Sequence, residues 1–209
     1  MAADTRALVS LTEIKQYLEI DSEDTGRDAL LTAMVNSATD VIERFCSCYF
    51  VEYEVATIEI PEKHDGTGTD ECYTDYYPIR SITQLRDNPY TGTARVLSPT
   101  DYLLYADEGR IKLRTDSQTL SRFSSAPQSI EIAYKVGYCA DTASVPHDVK
   151  AAAKQLIAVW YRDRAGDLTT ERIGDYTWQR SPAWREPTDL PDQVKFLLGP
   201  YIRYRVGAV

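Results

Sequence analysis

The feature that most constrains this chain is a double change of hydrophobic period. Leu30, Leu31, Met34, Val35, Ala38, Val41, Ile42 and Phe45 recur at helical spacing. That pattern predicts an amphipathic helix over residues 25–46, started by Asp24 or Thr25. From Tyr49 the period becomes two, with Val51, Tyr53 and Val55 alternating with Glu52 and Glu54, as in a half-buried strand. Further β-type runs follow at 79–85, 93–97, 102–105, 111–113 and 130–136. Asn88-Pro89, Ser98-Pro99, Glu108-Gly109 and Ala126-Pro127 supply the turns between them. After Pro146, placed as a first-turn proline, the helical period returns with Val149, Ala152, Ala153, Leu156, Ile157 and Trp160. Two apolar stripes of similar length, one on each side of a β-rich stretch, are best buried against each other.

The fold class expected is therefore α+β: a small helical bundle with a β-rich antiparallel insertion and an extended arm. Residues 1–49 would give the N-terminal helices of the helical core, 50–140 the β-rich insertion, and 141–164 the long helix. Residues 165–209 would form the extended arm and the C-terminal helix and tail. Ser10-Leu11-Thr12-Glu13 has the form of a capping box and opens a short helix bearing Leu11, Ile14 and Leu18. His64 to Asp70, with two glycines, reads as a mobile loop tip. Residues 165–188 show no period, which predicts an arm that orders on assembly. Asp189 would cap a last helix bearing Leu190, Val194, Leu197 and Leu198, ended by Gly199-Pro200. That terminal segment, 189–205, is expected to be a contact between molecules rather than a lid on its own domain.

Charge narrows the function classes. The formal charge is -9, and residues 1–75 hold 17 Asp/Glu against 5 Lys/Arg, whereas residues 76–209 hold 15 against 18. An acidic half opposes wrapping DNA, which needs clustered Lys/Arg. A solvated, solubilising face accounts for such charge, and so does a contact in which copies of one chain meet acidic half to basic half; charge alone does not choose between them. No apolar run approaches the roughly 20 residues of a membrane-spanning helix, and Met1 to Ser10 lacks the apolar stretch of a secretory signal. An intracellular origin is the expectation.

Catalytic signatures are lacking: there is no G-x-S-x-G, no Walker loop and no G-x-G-x-x-G. Of the two histidines, His147 follows Pro146 at a helix start and His64 falls in the loop tip. Cys46, Cys48, Cys72 and Cys139 could supply four sulfurs, but C-x-C does not match a zinc knuckle and no second pair completes it. Buried small hydrophobes are the plainer role for these cysteines. No enzyme, cofactor or metal is expected. Trp178, Arg180, Trp184 and Arg185 in the arm, with Tyr201, Arg203, Tyr204 and Arg205 in the tail, are types enriched at protein interfaces. They are the candidate partner-binding residues. The same mixture could stack on single-stranded nucleic acid.

Read in order, these segments resemble the head–tail connector (adaptor) proteins of long-tailed bacteriophages. Leu11-Thr12-Glu13-Ile14-Lys15-Gln16-Tyr17-Leu18, Asp28-Ala29-Leu30-Leu31 and Ile42-Glu43-Arg44-Phe45-Cys46 resemble that family's N-terminal helix pair. Tyr77-Pro78-Ile79 and Ile132-Ala133-Tyr134-Lys135-Val136-Gly137-Tyr138 resemble strands of its insertion. Val145-Pro146-His147-Asp148-Val149-Lys150 leading to Trp160-Tyr161-Arg162-Asp163-Arg164 resembles its long helix. Glu171-Arg172-Ile173-Gly174-Asp175-Tyr176 and Leu190-Pro191-Asp192-Gln193-Val194 resemble its arm and closing helix. The resemblance implies a structural virion protein at the neck, made in the host cytoplasm, that forms a ring below the portal. Such a ring extends the DNA channel and docks the next neck or tail-completion protein. The partners implied are further copies of the chain, the portal protein and that next component, with genomic DNA only as cargo and no membrane. Another neck or tail-completion protein, or a single-stranded nucleic-acid-binding module, is the alternative.

Overall fold

The computed structural model describes residues 4–88, 93–114, 121–163, 170–173, 176–179 and 190–203. Its elements divide into two compact units. One runs to Cys46 and resumes at Thr142, and the other spans Ser47–Asp141. The first holds the four α-helices and the second the two larger antiparallel sheets, which is an α+β fold.

The helical unit holds α1 (Leu11–Tyr17), α2 (Asp28–Cys46), α3 (His147–Asp163) and α4 (Asp192–Leu198). A reciprocal capping box starts α1: Ser10 Oγ accepts from Glu13 N–H at 3.2 Å, and Glu13 Oε2 accepts from Ser10 N–H at 2.8 Å. Lys15, though charged, is buried. Its Nζ donates to Ser22 O at 3.1 Å and Asp24 O at 2.9 Å and ion-pairs with Asp28 at 2.6 Å. One ammonium thus gathers the acidic linker and sets an acid in the first turn of α2, where the helix dipole favours it. Leu31, Val35, Ala38, Ile42 and Cys46 form the buried stripe of α2, and Val149, Ala152, Ala153, Leu156 and Ile157 that of α3. These two helices pack together, and α4 packs on α3.

Several boundaries differ from the expectation. Helix α2 starts at Asp28, because Thr25–Arg27 close a turn in which Asp28 N–H donates to Thr25 O. Pro146 stands just outside α3, where its carbonyl accepts from Lys150 N–H at 3.0 Å. Helix α4 begins at Asp192 behind Pro191, without a side-chain cap. Asp189, expected to cap it, lies outside the described residues.

The terminal helix also corrects the expectation that it serves only as a contact between molecules. Leu190, Val194 and Leu198 are buried in its own unit, and Arg203 N–H donates to Cys46 O at 2.8 Å. A short helix gains stability by covering an apolar face, and α3 supplies one. Only Phe196 of α4, 84% exposed, faces solvent as a large apolar side chain.

In the second unit, β1 (Tyr53–Ala56), β2 (Glu62–His64), β4 (Ile79–Asp87), β5 (Arg95–Leu97) and β8 (Ile130–Val136) form a five-stranded antiparallel sheet. Its order is β1-β8-β4-β5, with β2 beside β8 on the edge that β1 occupies. A second sheet has the order β3 (Glu71–Tyr73), β7 (Arg110–Leu113), β6 (Tyr102–Tyr105). Leu85, Ile111, Leu113, Phe123, Ile130, Ile132, Tyr134 and Val136 make one core within this unit. Strand β8 is central and largely buried, which explains its run of apolar residues. The aperiodic arm contains a hairpin, β9 (Thr170–Ile173) with β10 (Tyr176–Gln179). Within the expected arm, residues 170–173 and 176–179 are thus paired strands.

Candidate functional site

Only three of the eight residues expected to bind partners fall among the described ones. Trp178 lies in β10 opposite Glu171. Tyr201 ends a 3₁₀ turn after α4 and is half-buried, its phenol pushed up by burial and by Asp148. Arg203 is half-buried next to the end of α2. Arg180, Trp184, Arg185, Tyr204 and Arg205 lie outside the described residues.

The most developed polar site is one the sequence did not mark. His64 ends β2 rather than lying in a loop, because it pairs with Ile130 of β8. Glu62, two residues earlier, is on the same face. Its Oε1 lies 2.5 Å from His64 Nε2 and accepts from Asp75 N–H at 2.9 Å. Its Oε2 accepts from Tyr134 Oη at 2.5 Å, and Tyr134 Oη in turn accepts from Tyr76 N–H at 3.3 Å. Burial works to raise the Glu62 carboxyl, but the bonds from His64, Tyr134 and Asp75 outweigh it and hold it below the usual range. The bond to Glu62 raises His64 against the opposing effect of burial. Burial and the Glu62 charge push Tyr134 up, so its hydroxyl remains a donor.

Glu62, His64 and Asp75 have ligand atoms within 4.8 Å of one another, a spacing a divalent cation could use. Both oxygens of Glu62 already accept from protein donors. The cluster thus satisfies itself as a hydrogen-bonded network that ties β2 to the 74–76 turn and to β8. The cysteines offer less. All four are buried free thiols, Cys139 Sγ donates to Phe50 O at 3.0 Å, and burial together with Glu62 pushes Cys72 up to about 12. A thiol held protonated is a poor metal ligand.

What the surface offers is apolar contact. Ile58 and Ile60 are 56% and 78% exposed on the turn between β1 and β2. Leu103, Leu104 and Tyr105 are exposed along β6, with the Arg110 guanidinium 3.8 Å above the Tyr105 ring. Val96 is 56% exposed on β5. The signal for the first pair was present in the sequence as two isoleucines in Thr57-Ile58-Glu59-Ile60-Pro61, at a turn where polar residues are usual.

A family model described as head completion protein matches residues 7–204. The chain belongs to the head completion protein family. Its fold is also found in a chain from the neck of an empty gene transfer agent particle, computed with C6 symmetry. That chain is 18% identical, with a TM-score of 0.63. A chain from the neck of the native particle, computed with C12 symmetry, gives 0.61, and one from the native virion gives 0.58, both at 18% identity. Each alignment covers 100% of this chain and 96% of the other. Comparison with curated proteins gives no match. The family's role, head completion, is a structural one in virion assembly. Among the described residues no helix is long and apolar enough to cross a membrane.

Proposed function

We propose that this head completion protein acts as an adaptor: copies form a ring below the portal, extend the DNA channel and dock the next neck or tail component. The observation that carries this reading is the family match over residues 7–204, joined to a fold shared with chains of a neck computed with C6 and C12 symmetry. A ring needs a heterologous, head-to-tail contact between copies. The uneven charge of the chain favours one, because an acidic half can face a basic half without like-charge repulsion. A channel wall of net negative charge lets DNA pass without adhering to it.

In this reading the helical parts, 1–49 and 141–164, act as one docking body, and the 50–140 insertion is a separate module. Trp178, Arg180, Trp184, Arg185, Tyr201, Arg203, Tyr204 and Arg205 contact neighbouring copies or the portal. Assembly takes place in the host cytoplasm and the protein ends in the virion neck. The test is native mass measurement of the full chain, alone and with purified portal protein. A multimer of defined copy number bound to the portal is expected. A chain that stays monomeric and ignores the portal overturns the adaptor reading.

A further inference from the structure

The edge of the five-stranded sheet carried by β1 and β2 is interrupted in a specific way. Ala56 faces Tyr134 and Glu62 faces Ile132 on the same strand β8. Residues 57–61 therefore loop out of the edge opposite Ala133 alone. The excursion is closed rather than loose. Thr57 N–H donates to Ile60 O at 3.2 Å, and Ile60 N–H donates to Thr57 Oγ1 at 3.1 Å. A bulge of this size keeps the edge from pairing with a foreign strand. That purpose does not require isoleucine, yet this turn holds Ile58 and Ile60 out in water. Apolar side chains on a hydrogen-bonded turn suit an anchor whose ordering cost is already met before binding.

The opposite edge of the same sheet is β5, which pairs with β4 on one side. It exposes Val96 next to an exposed Arg95. The charges of the two edges are opposed. Residues 52–62 carry four glutamates, of which Glu52 is paired with Arg80 and Lys135 and Glu62 is bonded to His64 and Tyr134. Among them Glu54 and Glu59 are exposed. The β5 edge presents an exposed Arg95, while Arg86 on the adjoining strand β4 is engaged by Glu131 at 3.5 Å. These edges stand on opposite sides of one sheet and so cannot meet within a chain. Between copies they can, and only head to tail, which is the contact a closed ring repeats.

We propose that the β-rich unit forms a copy-to-copy contact of its own, beside that of the arm and tail, with the Ile58–Ile60 turn of one copy seated on the β5 edge of the next. Ile60 meets Val96 there, and Glu59 faces Arg95. The occupant is a second copy of this chain, chosen by charge and by the placement of the two edges. This rests on the ring reading above and assigns its interface.

The test uses the full chain assembled with portal protein, carrying Ile60→Cys and Val96→Cys together; the four native cysteines are buried. A short bis-maleimide should give a ladder of covalent multimers. An equal mixture of the two single variants should stop at dimers, and each single variant alone should give none. A multimeric complex whose double variant stays uncross-linked overturns this interface while leaving the ring intact. So does cross-linking of Ile60→Cys alone, which would show a two-fold contact. Absence of any multimer in the unaltered chain overturns the ring reading together with the interface. Charge exchange gives a second readout. Glu59→Arg should lower the assembled fraction roughly tenfold, and adding Arg95→Glu should restore it. Failure of that rescue in a folded variant counts against the contact.

Discussion

Lys150 on α3 donates from Nζ to Glu13 Oε1 on α1 at 3.0 Å, while the other oxygen of Glu13 accepts from Ser10 N–H. One carboxylate thus caps its own helix and joins it to a helix over 130 residues away in sequence. Burial works to raise this carboxyl, but the Ser10 and Lys150 bonds outweigh it and hold it low. A lowered carboxylate contributes stability above its unfolded pKa, about 4.3, and loses it as pH falls through the folded value. The melting temperature should therefore drop below about pH 4, and Glu13→Gln should flatten that drop. At neutral pH, Glu13→Ala should cost about 1 kcal/mol, the usual size of a lost cap.

Leu156→Ala tests whether α2, α3 and α4 share one buried core. Leu156 is fully buried in α3, the helix on which both α2 and α4 pack. The expected loss is roughly 2–5 kcal/mol by denaturant titration, with little change in slope. A loss under about 0.5 kcal/mol would place the residue at a surface position instead.

Tyr134→Phe removes the donor to Glu62 Oε2 and the acceptor for Tyr76 N–H. A buried group left without its partner costs about 1–3 kcal/mol. Tyr134→Phe should lower the melting temperature accordingly. Glu62→Gln combined with Tyr134→Phe should cost less than the sum of the two single changes, because both act on one network.

His64 gives the pH dependence its opposite arm. Its pKa is raised in the folded chain, so the stabilisation is complete below the unfolded value of about 6.5 and is lost as pH rises through the folded value. Melting temperature should decline as pH rises from about 6.5. His64→Gln should remove that slope and take from the acid limb only the part that Glu62 owes to His64, leaving the Glu13 part in place.

Gly66 lies where no side chain fits. A Cβ added there would stand 1.8 Å from the backbone carbonyl oxygen of Ser124. Backbone cannot rotate aside as a side chain can, so Gly66→Ala must shift a whole segment. A cost of roughly 1–3 kcal/mol is expected from thermal unfolding. The far-UV helical signal should be retained below the transition.

Much of the fold was legible because burial leaves a local period. Within α2 and within α3 the buried residues recur one helical turn apart, and the capping box at Ser10 spells its own geometry. His64 was misplaced for the converse reason: its neighbours Asp65 and Gly66 signal a turn, and pairing with Ile130 overrides that signal. Lys15 could not be read as buried, since the carbonyls of Ser22 and Asp24 that receive it belong to a linker with no period. The Glu62–His64–Tyr134 cluster joins residues 72 positions apart, and only the register of β2 on β8 brings them together.

By itself the sequence determined the four helices and the longer strands, with the apolar face of each, because these depend on neighbours a few residues away. The short strands β2, β3, β9 and β10 carry no such local signal. It also determined the opposition of charge between its two halves. Only the tertiary structure decided what covers each face. It placed α4 on α3 of its own unit, set β1 and β2 on one edge of β8, and left Ile58, Ile60 and Val96 in solvent. Periodicity reports that a side chain is apolar, whereas coverage depends on which distant element arrives, and long-range pairing settles that.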